Sequence, residues 1–192
     1  METIAIVAVA LGLAIGIQAF LVKPFRIPSE SMVPTLEIGQ RVLVDRVTQK
    51  FGAEFHRGDV LVFTPPAGAD TSSCGVAKVP DRGCPESTED HSDTNFIKRV
   101  VGVGGDRISI RGGHVYLNGR RQRESFVNLD ACTQNDECDL PREITVPEGQ
   151  LYMMGDNRGA SADSRVWGPV SEDWVIGQAF ATYWPPNRVG TL

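Results

Sequence analysis

Two serines that could act as nucleophiles lie close together in the segment IPSESMVPTL. Ser29 and Ser31 are separated by one residue and lie between Pro28 and Pro34. Each proline fixes its own φ angle and biases the residue before it toward extended geometry. A serine on such a rigid loop can attack a carbonyl if a base removes its proton, but it can equally be a turn residue. The motif alone leaves both interpretations open.

A lysine that could be this base occurs in the apolar segment FIKRVVGVGGD, residues 96–106. Because side chains alternate along a strand, Lys98 shares a face with Phe96 and Val100, and Arg99 lies on the other face. At least one cation must therefore share an apolar face. Burial would lower the pKa of Lys98, and a lysine base needs this, since free lysine is neutral in only about one copy in 2,500 at pH 7. An edge strand protected by charge is the alternative.

A third segment, MGDNRGASADSRVWG at 154–168, is dense in polar residues. It places opposite charges at Asp156, Arg158, Asp163 and Arg165. A solvated loop and a calcium loop are the alternatives, but the spacing of the acidic residues does not fit a calcium loop. The segment therefore favours a rigid polar network that borders an active site.

The elements that must position these residues are predicted to be β-strands. Short β-rich runs are separated by turn signals such as Gly112-Gly113 and Asn118-Gly119. Many short strands without alternating helices predict a sandwich or barrel-like antiparallel fold, not βαβ units. One helical turn is predicted, at 171–177. The predicted strands cover 41–47, 59–63, 96–103, 107–111, 114–119, 143–146, 151–155 and 178–184.

Two polar stretches fit no strand and hold the four cysteines. Residues 65–95 read as a long loop, and residues 120–142 as an excursion or small second domain. Cys74 and Cys84 lie in the first stretch and Cys132 and Cys138 in the second. The gaps of nine and five residues are poor zinc spacing, which leaves two local disulfides as the favoured interpretation and a metal site as the alternative.

The first part of the chain is predicted to anchor it in a membrane. Residues 3–22 contain no charge and would form a helix of about 30 Å, the thickness of a hydrocarbon core. A buried core helix is the alternative. Lys23 and Arg26 follow this segment, which favours a cytoplasmic body. Exposed, locally paired cysteines favour an oxidising compartment instead.

Composition excludes several classes of protein. The chain has 192 residues, of which 41% are hydrophobic and 22% charged, which argues against a disordered chain, a coiled coil or a collagen-like repeat. Its net charge of −5 argues against nucleic acid as the main partner.

Four segments in order after an anchor resemble the conserved boxes of type I signal peptidases, membrane-bound serine proteases that remove signal peptides. They are SESMVPTL, RGDVLVF, FIKRVVGVGGD and GDNRGASADSR, and with the anchor they cover roughly a third of the chain. The resemblance implies a mainly β protein: an antiparallel β-sheet catalytic domain with a small inserted domain, preceded by one N-terminal transmembrane helix. The implied divisions are 1–22 for the anchor, 23–111 with 150–192 for the catalytic domain, and 112–149 for the insert.

The resemblance also implies roles for individual residues. Ser31 would be the nucleophile and Lys98 the general base, as in the Ser-Lys variants of nucleophilic catalysis. Ser29 would donate its hydroxyl to the oxyanion beside the Ser31 N–H group. Ser161 would form a hydrogen bond with the Lys98 amine and orient it.

Supporting residues and partners follow from the same resemblance. Asp163 and Arg165 would hold the last segment in shape, and a bridge between Cys132 and Cys138 would suit the insert. The partners would be signal-peptide-bearing preproteins and membrane lipid, without nucleic acid, metal or cofactor, with the catalytic domain on the extracytoplasmic side of the cell membrane. The shallow substrate pockets would be lined by Phe25, Ile27, Met32, Leu36, Phe96 and Ile97.

Three other functions are compatible with parts of the sequence. A Ser-His-Asp hydrolase would have to use His56, His91 or His114, none of which lies in a recognisable motif. A self-cleaving repressor would need a DNA-binding domain where the anchor lies. A membrane-anchored extracellular β module would bind without catalysis. Proximity of Ser31 and Lys98 in the fold would favour the peptidase over this last alternative.

Overall fold

The computed structural model describes residues 6–7, 12, 16, 21–47, 52 and 54–192. Most of the predicted anchor, residues 3–22, lies outside the described residues. Within the described part of the chain, no helix has both the length and the apolar character needed to cross a membrane. Val22, which was predicted to end the anchor, is instead the first residue of a β-strand.

The part of the chain that the structure describes is mainly β, as predicted. It contains twelve strands: β1 Val22–Arg26, β2 Arg41–Asp45, β3 Val60–Phe63, β4 Phe96–Val103, β5 Arg107–Arg111, β6 His114–Leu117, β7 Arg120–Arg121, β8 Leu140–Thr145, β9 Gln150–Met154, β10 Val170–Ser171, β11 Val175–Trp184 and β12 Gly190–Thr191. A short helix, α1, spans Ser164–Trp167. The 3-10 turns are Ala69–Thr71, Asp130–Gln134, Asp136–Cys138, Arg158–Ala160, Glu172–Trp174 and Pro186–Arg188.

These strands form two antiparallel sheets. The first has the order β1-β2-β11-β3-β4-β9-β10, with β12 beside β11, and the second has the order β7-β6-β5-β8. The second sheet contains most of the predicted insert, 112–149, but it also includes β5. Its Ile108 and Val115 share one apolar cluster with Tyr152 of the first sheet. A division of the body into two domains therefore stays a prediction.

The central position of β3 explains its sequence, VLVF. Leu61 and Phe63 point into one apolar cluster, whereas Val60 and Val62 point into another. A strand covered on both faces is apolar throughout instead of alternating. Its neighbour β4 pairs with β3 over Phe96–Arg99 and with β9 over Arg99–Val103. Since Lys98 and Arg99 are both buried, the interpretation of these cations as charges that protect an exposed edge is wrong.

The cysteine prediction is confirmed, and some local predictions are wrong. Disulfides join Cys74 to Cys84 and Cys132 to Cys138. The helical turn predicted at 171–177 covers only Glu172–Trp174, because β11 already begins at Val175. Strand β1 and helix α1 were not predicted.

Candidate active site

A compact turn at residues 30–36, the serine turn, presents Ser31 and is anchored in the core. Its N–H groups at Val33 and Leu36 donate to the carbonyls of Glu30 and Met32, at 3.0 and 2.8 Å. Met32 and Leu36 are fully buried against the valines of β2 and β3. Such burial stabilises each side chain by about 1.5–3 kcal/mol. The two apolar residues of the serine segment therefore hold the turn in place.

Two adjacent cations of β4, Lys98 and Arg99, are buried but have different hydrogen-bond partners. Arg99 forms a bidentate ion pair with Asp156, at 2.9 and 2.7 Å. Lys98 is 5% exposed and makes no ion pair within the described residues. Its Nζ instead donates to Ser31 Oγ at 2.5 Å. A buried charge without an ion-pair partner is costly, so the environment of Lys98 shifts its protonation equilibrium toward the neutral amine.

The electrostatic surroundings of Lys98 lower its pKa to about 8. Burial is the main cause, because it penalises the charged ammonium. The charge of Arg165 lowers the pKa further, whereas those of Asp163 and Asp156 raise it. A group with a pKa near 8 is neutral in about a tenth of molecules at pH 7, some two hundred times more often than free lysine.

Ser29 also lies within hydrogen-bond distance of Ser31. Its Oγ is 3.3 Å from Ser31 Oγ, and either hydroxyl can be the donor. Within the described residues, Ser31 Oγ forms hydrogen bonds with Lys98 and Ser29 and with no histidine. His91 contacts the Ser92 carbonyl instead, and His114 contacts Arg121. The described geometry therefore offers Ser31 a lysine base and no histidine base.

The last segment, residues 154–168, contains a buried polar network centred on Asp163 and Arg165. Asp163 accepts from Arg165 through both carboxylate oxygens, at 2.7 and 2.8 Å, and from the Gly155 N–H at 3.1 Å. Although burial raises the pKa of Asp163, the cations Arg165 and Lys98 together with these hydrogen bonds hold it below its usual value. Arg165 also donates to the Ser161 carbonyl at 3.0 Å. The ion pair thus fixes both ends of the loop before α1.

Asn157 connects this network to the serine turn through two hydrogen bonds. Its N–H donates to the Ser31 carbonyl at 3.0 Å, and its amide group donates to the Glu30 carbonyl at 3.2 Å. The carbonyls of the serine turn are therefore held from the side of the last segment. Arg158 next in sequence is fully buried and pairs with Glu124 at 2.6 Å, which ties the segment to the loop after β7.

Ser161 does not make the predicted contact in this structure. Its Oγ is buried and has no hydrogen-bond partner among the described residues, whereas the Lys98 amine donates to Ser31. Ser161 nevertheless lies near the serine turn, because a Cβ atom added to Gly155 would meet both the Ser161 Oγ and the Ser31 carbonyl. Its role as the residue that orients Lys98 stays a prediction.

A cleft of about 590 Å³ opens beside the Ser31–Lys98 pair. Four of the six predicted pocket residues line it: Phe25, Ile27, Phe96 and Ile97. Met32 and Leu36 are not among the lining residues, since both are buried in the core under the serine turn. The cleft is also lined by Arg26, Pro28, Val62, Asp93, Thr94 and Asn95, which the sequence analysis did not select.

Several site residues were missed because they act across long separations in sequence. Asp156 accepts from Thr35 Oγ1 at 2.5 Å as well as pairing with Arg99. The polar density of the last segment pointed to Asp156 but not to its partners. No sequence signal marked Asn157 or Gly155 as contacts of the serine turn.

Comparisons with known proteins agree on one family. The model of the family described as signal peptidase, peptidase S26, matches residues 1–184. A signal peptidase I of Leptolyngbya laminosa is 34% identical over all of this chain and 83% of its own length. A signal peptidase IB of Staphylococcus aureus (strain COL) is 30% identical over 96% of this chain and 90% of its own. A probable signal peptidase I-1 of a Synechocystis strain is 34% identical over all of this chain and 86% of its own.

Proposed function

Since the chain belongs to the signal peptidase family, peptidase S26, we propose that Ser31 is its nucleophile and Lys98 its general base. The chain is a serine endopeptidase of the signal peptidase I type, and it removes signal peptides from preproteins. The assignment of roles is supported above all by one observation. A buried lysine without an ion-pair partner among the described residues donates directly to the hydroxyl of Ser31.

In the first step the neutral amine of Lys98 accepts the proton of the Ser31 hydroxyl. Ser31 Oγ attacks the carbonyl carbon of the scissile bond, and the carbonyl oxygen becomes an oxyanion. The burial that lowers the pKa of Lys98 supplies the neutral amine. The hydrogen bond of 2.5 Å places the acceptor and the proton within reach of each other.

Ser29 and the Ser31 N–H group stabilise the oxyanion. The hydroxyl of Ser29 lies 3.3 Å from Ser31 Oγ and can rotate toward an oxygen beside it. Loss of one such donor typically costs about 10²–10³ in kcat. Ser29 therefore increases the rate, but the reaction can proceed more slowly without it.

Lys98 then returns its proton to the leaving amine, and water hydrolyses the acyl-enzyme with Lys98 again as the base. When Lys98 is an ammonium its N–H groups need acceptors beyond Ser31. The buried Oγ of Ser161, which has no partner within the described residues, is suited to accept one of them. No metal or cofactor takes part in these steps.

The substrate binds in the cleft as an added β-strand. Among the described residues, β1 pairs only with β2, and β9 pairs with β4 from Arg99 onward. The backbone edges at Phe25–Ile27 and Phe96–Lys98 therefore border the cleft and can pair with an extended peptide. Alternate side chains of that peptide would enter the apolar lining, which favours small residues near the cut.

The cleavage rate is expected to rise with pH through an apparent pKa near 8. Only neutral Lys98 can accept the Ser31 proton, so activity is lost as the amine becomes protonated below this value. Between pH 8 and pH 6 the neutral fraction falls about 50-fold, and the single-turnover rate should fall with it. The measurement is a profile of that rate from pH 6 to pH 10. A flat profile, or a limb that disappears in His56→Ala, His91→Ala or His114→Ala, would exclude Lys98 as the base.

The enzyme is further proposed to be a single-pass protein of the cell membrane, with its body on the extracytoplasmic side. The uncharged run 3–22 leads into β1, which begins at the last residue of the run. Exposed apolar side chains, Ile38 and Val189 among them, are 64% and 63% exposed and suit a lipid surface. The two disulfides suit an oxidising compartment.

A further inference from the structure

Arg188, near the end of the chain, reaches back to the turn that presents Ser31. It lies in the 3-10 turn Pro186–Arg188. Its NH2 group donates to the carbonyls of Pro34 and Thr35, at 2.8 and 3.1 Å. Its NH1 group forms an ion pair with Glu37 at 2.7 Å. One guanidinium thus contacts two residues of the serine segment and Glu37, which follows it, from more than 150 positions away in sequence.

These contacts close the open end of the serine turn. The carbonyls at the end of a helical turn have no partner within the turn. Arg188 satisfies two of them through its NH2 group, while its NH1 and Nε groups contact Glu37 and Gln40. Lysine has a single nitrogen and cannot reproduce this set of contacts. At the start of the same turn, Asn157 holds the carbonyls of Glu30 and Ser31. The turn is therefore fixed at both ends by groups outside it.

The guanidinium is itself held in position. Its Nε donates to the side-chain carbonyl of Gln40 at 3.1 Å, and Gln40, which is 2% exposed, donates to Thr182 Oγ1 of β11 at 2.9 Å. Since β11 is an inner strand of the first sheet, Arg188 connects the serine turn to the rigid part of the fold. An arginine fixed in this way loses little freedom when it binds the turn.

The serine turn is also linked to β4, the strand that holds Lys98. Thr35, whose carbonyl accepts from Arg188, donates through its hydroxyl to Asp156. Asp156 pairs with Arg99, the residue after Lys98. Displacement of the end of the turn would therefore disturb the relation between the serine turn and β4.

We propose that Arg188 is a positioning residue for the nucleophile, because it holds the end of the turn so that Ser31 Oγ stays within reach of the Lys98 amine. The inference rests on the proposed roles of Ser31 and Lys98. It differs from a role in substrate binding, since Arg188 does not line the cleft beside the Ser31–Lys98 pair. A misplacement of about 1 Å can cost 10²-fold in rate, so the expected effect falls on kcat.

The test compares Arg188→Ala, Arg188→Lys and the full-length wild-type enzyme in steady-state cleavage of a signal-bearing peptide. Arg188→Ala should lower kcat at least tenfold with KM changed less than twofold. Arg188→Lys keeps a cation but has one nitrogen, which cannot contact the two carbonyls, Glu37 and Gln40 at the same time, so it should recover only part of this loss. The matched control is Arg107→Ala, which removes an exposed arginine paired loosely with Glu143 at 3.9 Å and should retain wild-type kcat.

Several results would overturn the inference: an Arg188→Ala enzyme with kcat within twofold of wild type, a loss confined to KM, or a lower Tm with unchanged kcat. If Arg188→Ala does not fold, Arg188→Lys decides, and wild-type kcat in that variant counts against the proposal. Ser31→Ala is measured alongside. Residual cleavage by Ser31→Ala would refute the proposed function itself, whereas an inactive Ser31→Ala with a fully active Arg188→Ala would refute only the role of Arg188.

Discussion

Ser31→Ala and Lys98→Ala are each expected to lower preprotein cleavage by at least about 10³-fold, because a nucleophile and its base act as one unit. Ser31→Ala removes the attacking oxygen, and Lys98→Ala removes the acceptor of its proton. Because the two residues act together, the double variant should be about as active as either single variant. The measurement is the single-turnover rate of signal-peptide removal, with circular dichroism to show that each variant is folded.

Controls separate this lysine mechanism from a histidine or metal mechanism. The single variants His56→Ala, His91→Ala and His114→Ala should keep wild-type rates, and so should the enzyme after treatment with a chelator. Ser29→Ala should lose about 10²–10³-fold, less than the loss of the nucleophile, since it removes one oxyanion donor. A folded histidine variant without activity would contradict the assignment of Lys98.

Gly155→Ala is expected to lower kcat by at least about 10²-fold. A methyl group on Gly155 would lie well inside van der Waals contact with the Ser31 carbonyl and with Ser161 Oγ. The first is backbone and cannot rotate away, so the serine turn must shift relative to Lys98. Overpacking of this kind typically costs about 1–3 kcal/mol of stability. The rate constant and the free energy of unfolding should be measured on the same preparation.

Gly190→Ala is the matched control for this prediction. A Cβ at Gly190 meets no atom within 4 Å, so its activity should equal that of wild type. If Gly155→Ala cleaves preprotein at the wild-type rate, the close contact between the last segment and the serine turn cannot control the position of the nucleophile.

Local patterns predicted the strands and the chemical character of the site because each depends on neighbours in sequence. Alternation along β4 required that Lys98 or Arg99 share an apolar face, and both are in fact buried. The pattern could not show that Arg99 has Asp156 as its partner whereas Lys98 lacks an ion pair within the described residues. That difference, which separates a structural cation from a candidate base, arises from the packing of the last segment against the sheet.

The substrate pocket shows the same limit of local reasoning. Alternation cannot distinguish an apolar residue that lines a cleft from one that faces the core beneath it. Met32 and Leu36, which the family resemblance places in the substrate pocket, are buried under the serine turn and do not line the cleft. No sequence pattern pointed to Arg188, because its contacts with the serine turn lie more than 150 residues away.

Chemical restoration of the amine at position 98 tests the central claim most directly. The four native cysteines are paired in disulfides, so Lys98→Cys would introduce a single reactive thiol. Aminoethylation of that thiol returns a primary amine on a side chain of nearly the length of lysine. We expect Lys98→Cys to be inactive and cleavage to rise at least 100-fold after modification, without a change in Lys98→Ala treated in the same way. A folded, fully modified enzyme that remains inactive, or an unmodified Lys98→Cys that cleaves at the wild-type rate, would contradict the role of Lys98 as the base.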